Sequence, residues 1–417
     1  MLFLVTLLLF GGPPPSWAQS DLLQSAGGPK TLNRTLEGRV HRFRTVTIDF
    51  GLLEPGRPRS SLRLNLFDGA SFTAGSDRIH SSADGVTVWK GRLEGIPHSE
   101  VILAYKDTVL SGNIALPGAR YWIRFLGDGL HAVLEGKPSA YPPEKEPLAV
   151  STSGFSPDLP PPKDIFMTLP PPLGAGPYRL NLPTVMKPPI FNVLVVYTTA
   201  ARLAAGGSAA MNTLIHLAVQ ETNTGYINSG IRQILNLVQA QEVAYDETDF
   251  DWDLTLDRLT GKNDGYLDSV HALRDTSRAD AVVLLVNDGF YCGLSWLMTS
   301  PQPSFAASAF SLVNWDCATG NYSFAHELGH LMGSHHDWLT TSEIGCFTYS
   351  KGYQAPNRSF RTIMAYDCPG GCPRINHWSN PDILYNGQPT GAYYLGSTPA
   401  DNRRSINNTT PIVVNWR

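Results

Sequence analysis

Ala325 to Asp337 reads AHELGHLMGSHHD, and the rest of the chain is organised around this stretch. His326 and His330 stand four residues apart, with Glu327 directly after the first. On an α-helix, positions i and i+4 share a face, so both imidazoles can grip one metal ion from the same side. The carboxylate of Glu327 can then reach a water in the ion's open position. Gly333 follows three residues after His330 and tolerates φ > 0, which lets the helix stop and the chain swing back. His336 arrives three residues later as the third ligand; its neighbour His335 falls off the spacing and is expected at the surface. A merely polar helix face would leave the glycine between ligand-spaced histidines unexplained.

Downstream, Arg361 to Cys368 reads RTIMAYDC. This order of motifs resembles the metzincin clan, and the resemblance implies Met364 as the candidate floor beneath the metal and the phenol of Tyr366 as a candidate donor to an oxyanion. Asp337, directly after the third histidine, is placed to fix the turn below the metal.

The chain has 417 residues, enough for two domains with real cores. A net charge of −4 suggests neither nucleic acid nor an anionic membrane as partner. Leu2 to Phe10 is apolar but too short to span a bilayer, and small residues follow at Ser16 and Ala18. Residues 1–18 read as a signal peptide, so the expected product is secreted, extracellular, soluble and monomeric. The five cysteines all lie in the C-terminal half, where an oxidising compartment would pair them. Cys292 and Cys317 flank neighbouring strands and are expected to pair; Cys346 is free to pair with Cys368 or Cys372, with one thiol left over.

Residues 19–140 alternate apolar and polar in short runs separated by Asp-Gly and Pro-Gly turns, an all-β domain without cysteine. Its place between a signal peptide and a catalytic half suggests a propeptide that inhibits the enzyme; a retained substrate-binding module is the alternative. With no cysteine before Cys292, a thiolate latch is excluded, leaving an Asp, Glu or His to cap the metal. Residues 141–189 are dense in proline (PPEKEP, LPPPK, LPPPLGAGP) and read as an extended linker containing the maturation region.

From 190 to 417, strand and helix signals alternate: Phe191 to Tyr197, a helix over 208–223, Ile231 to Val238, a helix over 253–274 broken near Gly261, and Ala279 to Asn287. That order predicts an α/β (α+β) domain with a mostly parallel twisted sheet. Cys292 to Leu297 and Phe305 to Val313 are two further expected strands. Gly293, Leu294, Ser295 and Trp296 would form an edge on which an extended peptide adds as an extra strand.

The pattern H-E-x-x-H-x-x-G-x-x-H, with the RTIMAYDC turn and the WSNP segment at Trp378 to Pro381, resembles the metzincin clan. It is most similar to the secreted bacterial peptidyl-Asp metalloendopeptidase type, and more distantly to reprolysins. The resemblance implies one catalytic Zn²⁺ on His326, His330 and His336, Glu327 as general base, and protein or peptide substrates cut before acidic residues. Such a preference needs a cation in the pocket receiving the residue after the cut, and Arg374 lies in the right part of the chain. The alternatives are an inactive binding protein on the same scaffold, a metalloenzyme acting on something other than peptides, and a broad-specificity protease of reprolysin or astacin type.

Overall fold

The computed structural model describes residues 20–27, 32, 34–54, 61–150 and 187–417; the expected signal peptide and most of the proline-rich stretch lie outside them. The N-terminal part is one nine-stranded sheet. Its strands are β1 (Leu23–Ser25), β2 (Val40–Ile48), β3 (Ser61–Phe67), β4 (Ala70–Ser81), β5 (Thr87–Leu93), β6 (Glu100–Lys106), β7 (Val109–Leu116), β8 (Ala119–Gly127) and β9 (Leu130–Gly136), with a short helix α1 (Arg34–Glu37) before β2. The order is β1-β2-β9-β8-β7-β6-β5-β4-β3 with antiparallel pairing throughout. Hairpin neighbours in sequence are neighbours in space, as short turns dictate.

The second sheet carries the site. It contains β10 (Leu148–Ala149), β11 (Ile190–Thr198), β12 (Ile234–Val243), β13 (Ala281–Val286), β14 (Gly293–Leu297) and β15 (Phe310–Asn314), in the order β10-β14-β15-β13-β11-β12. The β11–β12, β11–β13 and β13–β15 pairs are parallel, and β14 runs antiparallel to β15. Helices α2 (Thr199–Ala204), α3 (Ser208–Ser229), α4 (Trp252–Thr260), α5 (Ser269–Ser277), α6 (Ser323–Leu331) and α7 (Asn402–Val413) cover it, and a small hairpin, β16 (Leu384–Tyr385) and β17 (Gln388–Pro389), precedes α7. Val282, Leu284 and Val286 face a core with Leu256, Leu259 and Val270 on one side of the sheet. Val283 and Leu285 face the larger core with α3 and α6 on the other, so β13 is apolar on both faces because both are covered.

Helix α3 is longer than its predicted stripe and buried nearly all round. It packs on β12 and α6 on one side and on β6 and β7 on the other. Leu217, on the second side, joins Val86, Val88, Ile102 and Ala104 of the N-terminal sheet. Two polar pairs complete this contact, Ser111 with Thr213 at 2.9 Å and Asn113 to Glu221 at 2.6 Å, and the loop before α6 adds Arg124 to Thr319 at 2.6 Å and a buried Arg39–Asp316 ion pair at 2.8 Å.

Three sequence expectations are corrected. Phe305 does not open a strand: Pro303–Ser308 is a 3₁₀ turn, started by a proline with no N–H for a ladder, and β15 begins at Phe310. The stretch from Tyr141 is not linker throughout, since β10 forms inside it. Cys346 pairs with neither Cys368 nor Cys372. Those two pair with each other, because Gly370 and Gly371, both at positive φ, fold the intervening residues until the Cα atoms are 5.4 Å apart. The Cys292–Cys317 disulfide is present, and Cys346 is the unpaired thiol. Among the described residues, no helix is long and apolar enough to cross a membrane.

Candidate metal centre and substrate cleft

Helix α6 carries His326, Glu327 and His330, all fully buried. Phe324, Ala325, Leu328 and Leu331 anchor it in the main core. Its Gly329 is a contact requirement: a Cβ there would lie 2.4 Å from Met364 Sδ and 2.7 Å from the Trp378 ring. The helix ends as its sequence predicts. Gly333 takes φ +84°, its N–H bonds to His330 O, and Ser334 N bonds back to Gly329 O. The chain reverses and brings His336 over the helix face.

The three Nε2 atoms converge. His326 and His330 are 3.1 Å apart, His330 and His336 3.0 Å, and His326 and His336 3.2 Å. Each opposite nitrogen faces an acceptor. His326 Nδ1 donates to Ile363 O at 2.8 Å, His330 Nδ1 to Ser334 O at 2.9 Å, and His336 Nδ1 to a Glu146 carboxylate oxygen at 3.1 Å. A proton on Nδ1 of each ring satisfies these three acceptors, although Arg374 Nη2 also lies 3.3 Å from His326 Nδ1, and it leaves the three Nε2 lone pairs pointing at one spot. Burial, then the neighbouring imidazoles and Arg374, hold the His326 pKa well below its usual value, and burial does the same first for His330 and His336. Three neutral imidazoles crowded lone pair to lone pair fit a cation. Tetrahedral zinc with Zn–N bonds of about 2.0–2.1 Å would set the nitrogens about 3.3 Å apart. The cluster could hold a metal ion.

Glu327 stands beside this triangle, fully buried, and neither carboxylate oxygen has a hydrogen-bond partner among the described residues. Burial, with the Glu144 carboxylate close by, raises its pKa well above the ordinary range, and Arg374 opposes the rise. Gly293 of β14 leaves room for it: a Cβ there would be 2.3 Å from Glu327 Oε1. On the same strand, Leu294 enters the sheet core and Ser295 Oγ bonds to Glu327 O at 3.1 Å, so those two side chains face inward. What β14 offers outward is backbone.

The methionine turn packs against α6 beside the metal-ligand triangle. Ile363 supplies the carbonyl that orients His326, and Met364 is fully buried against α6. Asp337 ties this turn to the third histidine. Its Oδ2 accepts from Tyr366 N at 3.0 Å and Thr340 Oγ1 at 2.8 Å, and its Oδ1 accepts from Leu339 N at 3.0 Å. The Tyr366 ring lies 4.2 Å from the His336 ring, and its hydroxyl donates to Glu144 O at 2.7 Å. His335 is not at the surface. It is fully buried, accepts the His336 N–H at 2.8 Å, and so braces the third ligand.

Residues 141–149 lie in the cleft. Leu148 and Ala149 pair in parallel with Trp296 and Leu297, Lys145 N donates to Gly293 O at 2.9 Å, and Cys292 N donates to Pro143 O at 2.9 Å. Glu144 Oε1 accepts from Arg374 Nη1 at 2.7 Å and from Ser323 Oγ at 2.8 Å. Arg374 is buried, not a surface arginine, and also donates to Asn321 O at 2.9 Å. A pocket of about 360 Å³ adjoins this pair, with Tyr141, Arg361, Tyr366 and Asp367 among its walls. The sequence reading missed Glu144, Glu146, Ser323 and Arg361. One signal was available: Glu144 and Glu146 alternate, so on an extended chain both point to one side.

Three lone pairs aimed at one point, a carboxylate free to take a proton and a strand able to hold an extended chain together define the class, a metallopeptidase. Residues 187–379 match the Reprolysin_5 model of metallo-peptidase family M12. The chain is 37% identical over 413 residues to a protein of Xanthomonas campestris pv. campestris named peptidyl-Asp metalloendopeptidase, covering 96% of this chain and 89% of that one. A Stenotrophomonas maltophilia protein of the same name is 37% identical over 359 residues, covering 85% and 78%. One from Pseudomonas fragi is 35% identical over 182 residues, covering 43% of this chain and 96% of that one. The chain belongs to this M12 family of metalloendopeptidases and is a peptide-bond hydrolase using a divalent metal.

Proposed function

We propose that the protein is a secreted zinc endopeptidase that cuts before acidic residues and is made as a precursor, residues 19–140 being the propeptide. The observation that carries the zinc reading is the triangle of Nε2 atoms 3.0–3.2 Å apart with all three protons assigned to Nδ1. Bound there, zinc would supply Lewis acidity that activates water and polarises a carbonyl. The chain's own residues do the rest. Glu327 takes the proton from the attacking water and returns it to the leaving amine, a role its position beside the triangle with both carboxylate oxygens unpartnered among the described residues allows. Tyr366 donates to a carbonyl oxygen in the cleft, as it does to Glu144 O, which supports its role as an oxyanion donor. The β14 backbone holds the peptide extended, and the protonated Nδ1 atoms keep the imidazoles turned toward the ion.

The acidic preference is supported by Arg374, a buried guanidinium already holding one carboxylate at 2.7 Å. The relatives' name, peptidyl-Asp metalloendopeptidase, points the same way. Secretion is supported by the N-terminal sequence and by two disulfides. Casein digestion with and without a chelator tests the reaction. Profiling the wild type and Arg374→Ala on a peptide library tests the preference; an undiminished choice of Asp and Glu by the variant would clear Arg374 of the role.

A further inference from the structure

Glu144 occupies a place that calls for explanation. Its side chain is almost completely buried, yet it comes from a segment otherwise dense in proline. One oxygen bonds to Arg374 and Ser323; the other, Oε2, is buried and has no hydrogen-bond partner among the described residues. Charges of both signs surround it, Glu327 and Asp367 standing close as well as further arginines. Arg361 lines the pocket beside this ion pair, and Arg120 of β8 donates to the backbone oxygen of Arg374. A guanidinium cannot be left buried without an anion except at large cost. While residues 141–149 cover the cleft, Arg374 therefore needs a carboxylate at this point.

We infer that Glu144 is a built-in pseudosubstrate: its carboxylate fills the subsite for the acidic side chain of a substrate and keeps the precursor silent. This rests on the reading of Arg374 given above and adds the regulation of that same site. The mode is a specificity mimic, not a cap on the metal, because Glu144 is absent from the ligand groups that could hold an ion.

The geometry also fixes the register in which the acid is bound. For cleavage before an acidic residue, the reacting carbonyl belongs to the residue preceding the acid. Here that carbonyl is Pro143 O, and it is held by the N–H of Cys292, directly before β14. The carbonyl that meets the Tyr366 hydroxyl belongs to Glu144 itself. The plug is thus one residue out of frame: acid in the pocket, wrong carbonyl at the donor. Lys145 N on Gly293 O and the β10–β14 pairing fix that register on both sides.

The test uses the full chain, loaded with zinc, and follows initial hydrolysis of one Asp-containing and one Ala-containing fluorogenic peptide while chain length is read by mass spectrometry. Wild type and Glu144→Asp, which keeps a carboxylate, are expected to stay silent until shortened. Glu144→Gln is expected to cleave the Asp peptide at full length, with an initial rate raised on the order of a hundredfold, the change that goes with stranding one member of a buried pair. Silence of Glu144→Gln at full length, followed by ordinary activity once shortened, would overturn the inference while leaving the acidic preference intact. If shortened wild type cut the Asp and Ala peptides alike, the reading of Arg374 would fail, and the pseudosubstrate with it. Glu144→Asp controls for folding: a leak in that variant equal to the one in Glu144→Gln would show that general loosening, not loss of the charge, releases the cleft, and would also overturn the inference.

Discussion

Replacing Gly293 by alanine should disable the enzyme without touching a metal ligand. The added Cβ would lie 2.3 Å from Glu327 Oε1, 2.6 Å from its Cγ and 2.7 Å from its Cδ. A carbon and an oxygen not bonded to each other rest at about 3.3 Å, so the carboxylate must withdraw by about 1 Å. Little else can give. Glu327 is on a buried helix held at one end by the Gly333 turn, and Gly293 is in a strand paired with Val313. A misplacement of that size costs about a hundredfold in rate, with a stability loss of about 1–3 kcal/mol from overpacking. The assay is kcat/KM of the shortened, zinc-loaded enzyme on an Asp-containing peptide, with zinc content and a urea titration beside it. A rate within threefold of wild type would refute the argument that this carboxylate works from the position described.

Glu327→Ala should keep the metal and lose hydrolysis by several orders of magnitude; near-full activity would exclude it as the base. Asp337→Ala removes the acceptor for Tyr366 N, Leu339 N and the Thr340 hydroxyl, and should cost roughly 2–4 kcal/mol in urea unfolding, with activity lost as Tyr366 drifts. An unchanged midpoint would show that the turn is held by something else. Stability should also fall in acid through His131. Burial lowers its pKa to about 4, and its Nε2 accepts from Leu110 N, which a protonated ring cannot do. The folded pKa lies below the unfolded value of about 6.5, so the unfolded chain binds the extra proton first. Stability present above pH 6.5 is therefore lost as pH falls toward 4, by about 3 kcal/mol at most. His131→Gln, which keeps an acceptor, should flatten that slope in unfolding measured at several pH values; an unaltered slope would assign the effect elsewhere.

What could be read from the chain in advance divides by distance along it. His326, Glu327, His330, Gly333 and His336 lie within eleven consecutive residues, so helix periodicity and one glycine sufficed. Met364 and Asp337 are expected near them only through the order of motifs that the resemblance implies. Contacts across long separations were beyond periodicity. Arg374 meets Glu144 across 230 positions, and nothing local to either residue announces the pair. The prolines around Glu144 correctly excluded a helix, but they are compatible with an added edge strand, which needs few N–H donors. His335 falls off the ligand spacing, and spacing alone says nothing about burial in the turn beyond the helix, where it is fully covered. Helix α3 is buried on two sides, and its second apolar partner, the N-terminal sheet, lies too far off in sequence for local periodicity to show it.

The central claim is that His326, His330 and His336 hold one zinc ion that the reaction requires. The most direct measurement is metal content and proteolysis of the same shortened sample before chelation, after chelation, and after zinc is returned. The account predicts one zinc per chain, loss of casein hydrolysis on removal and its recovery on addition. Hydrolysis that persists in a sample shown to be metal-free would contradict it.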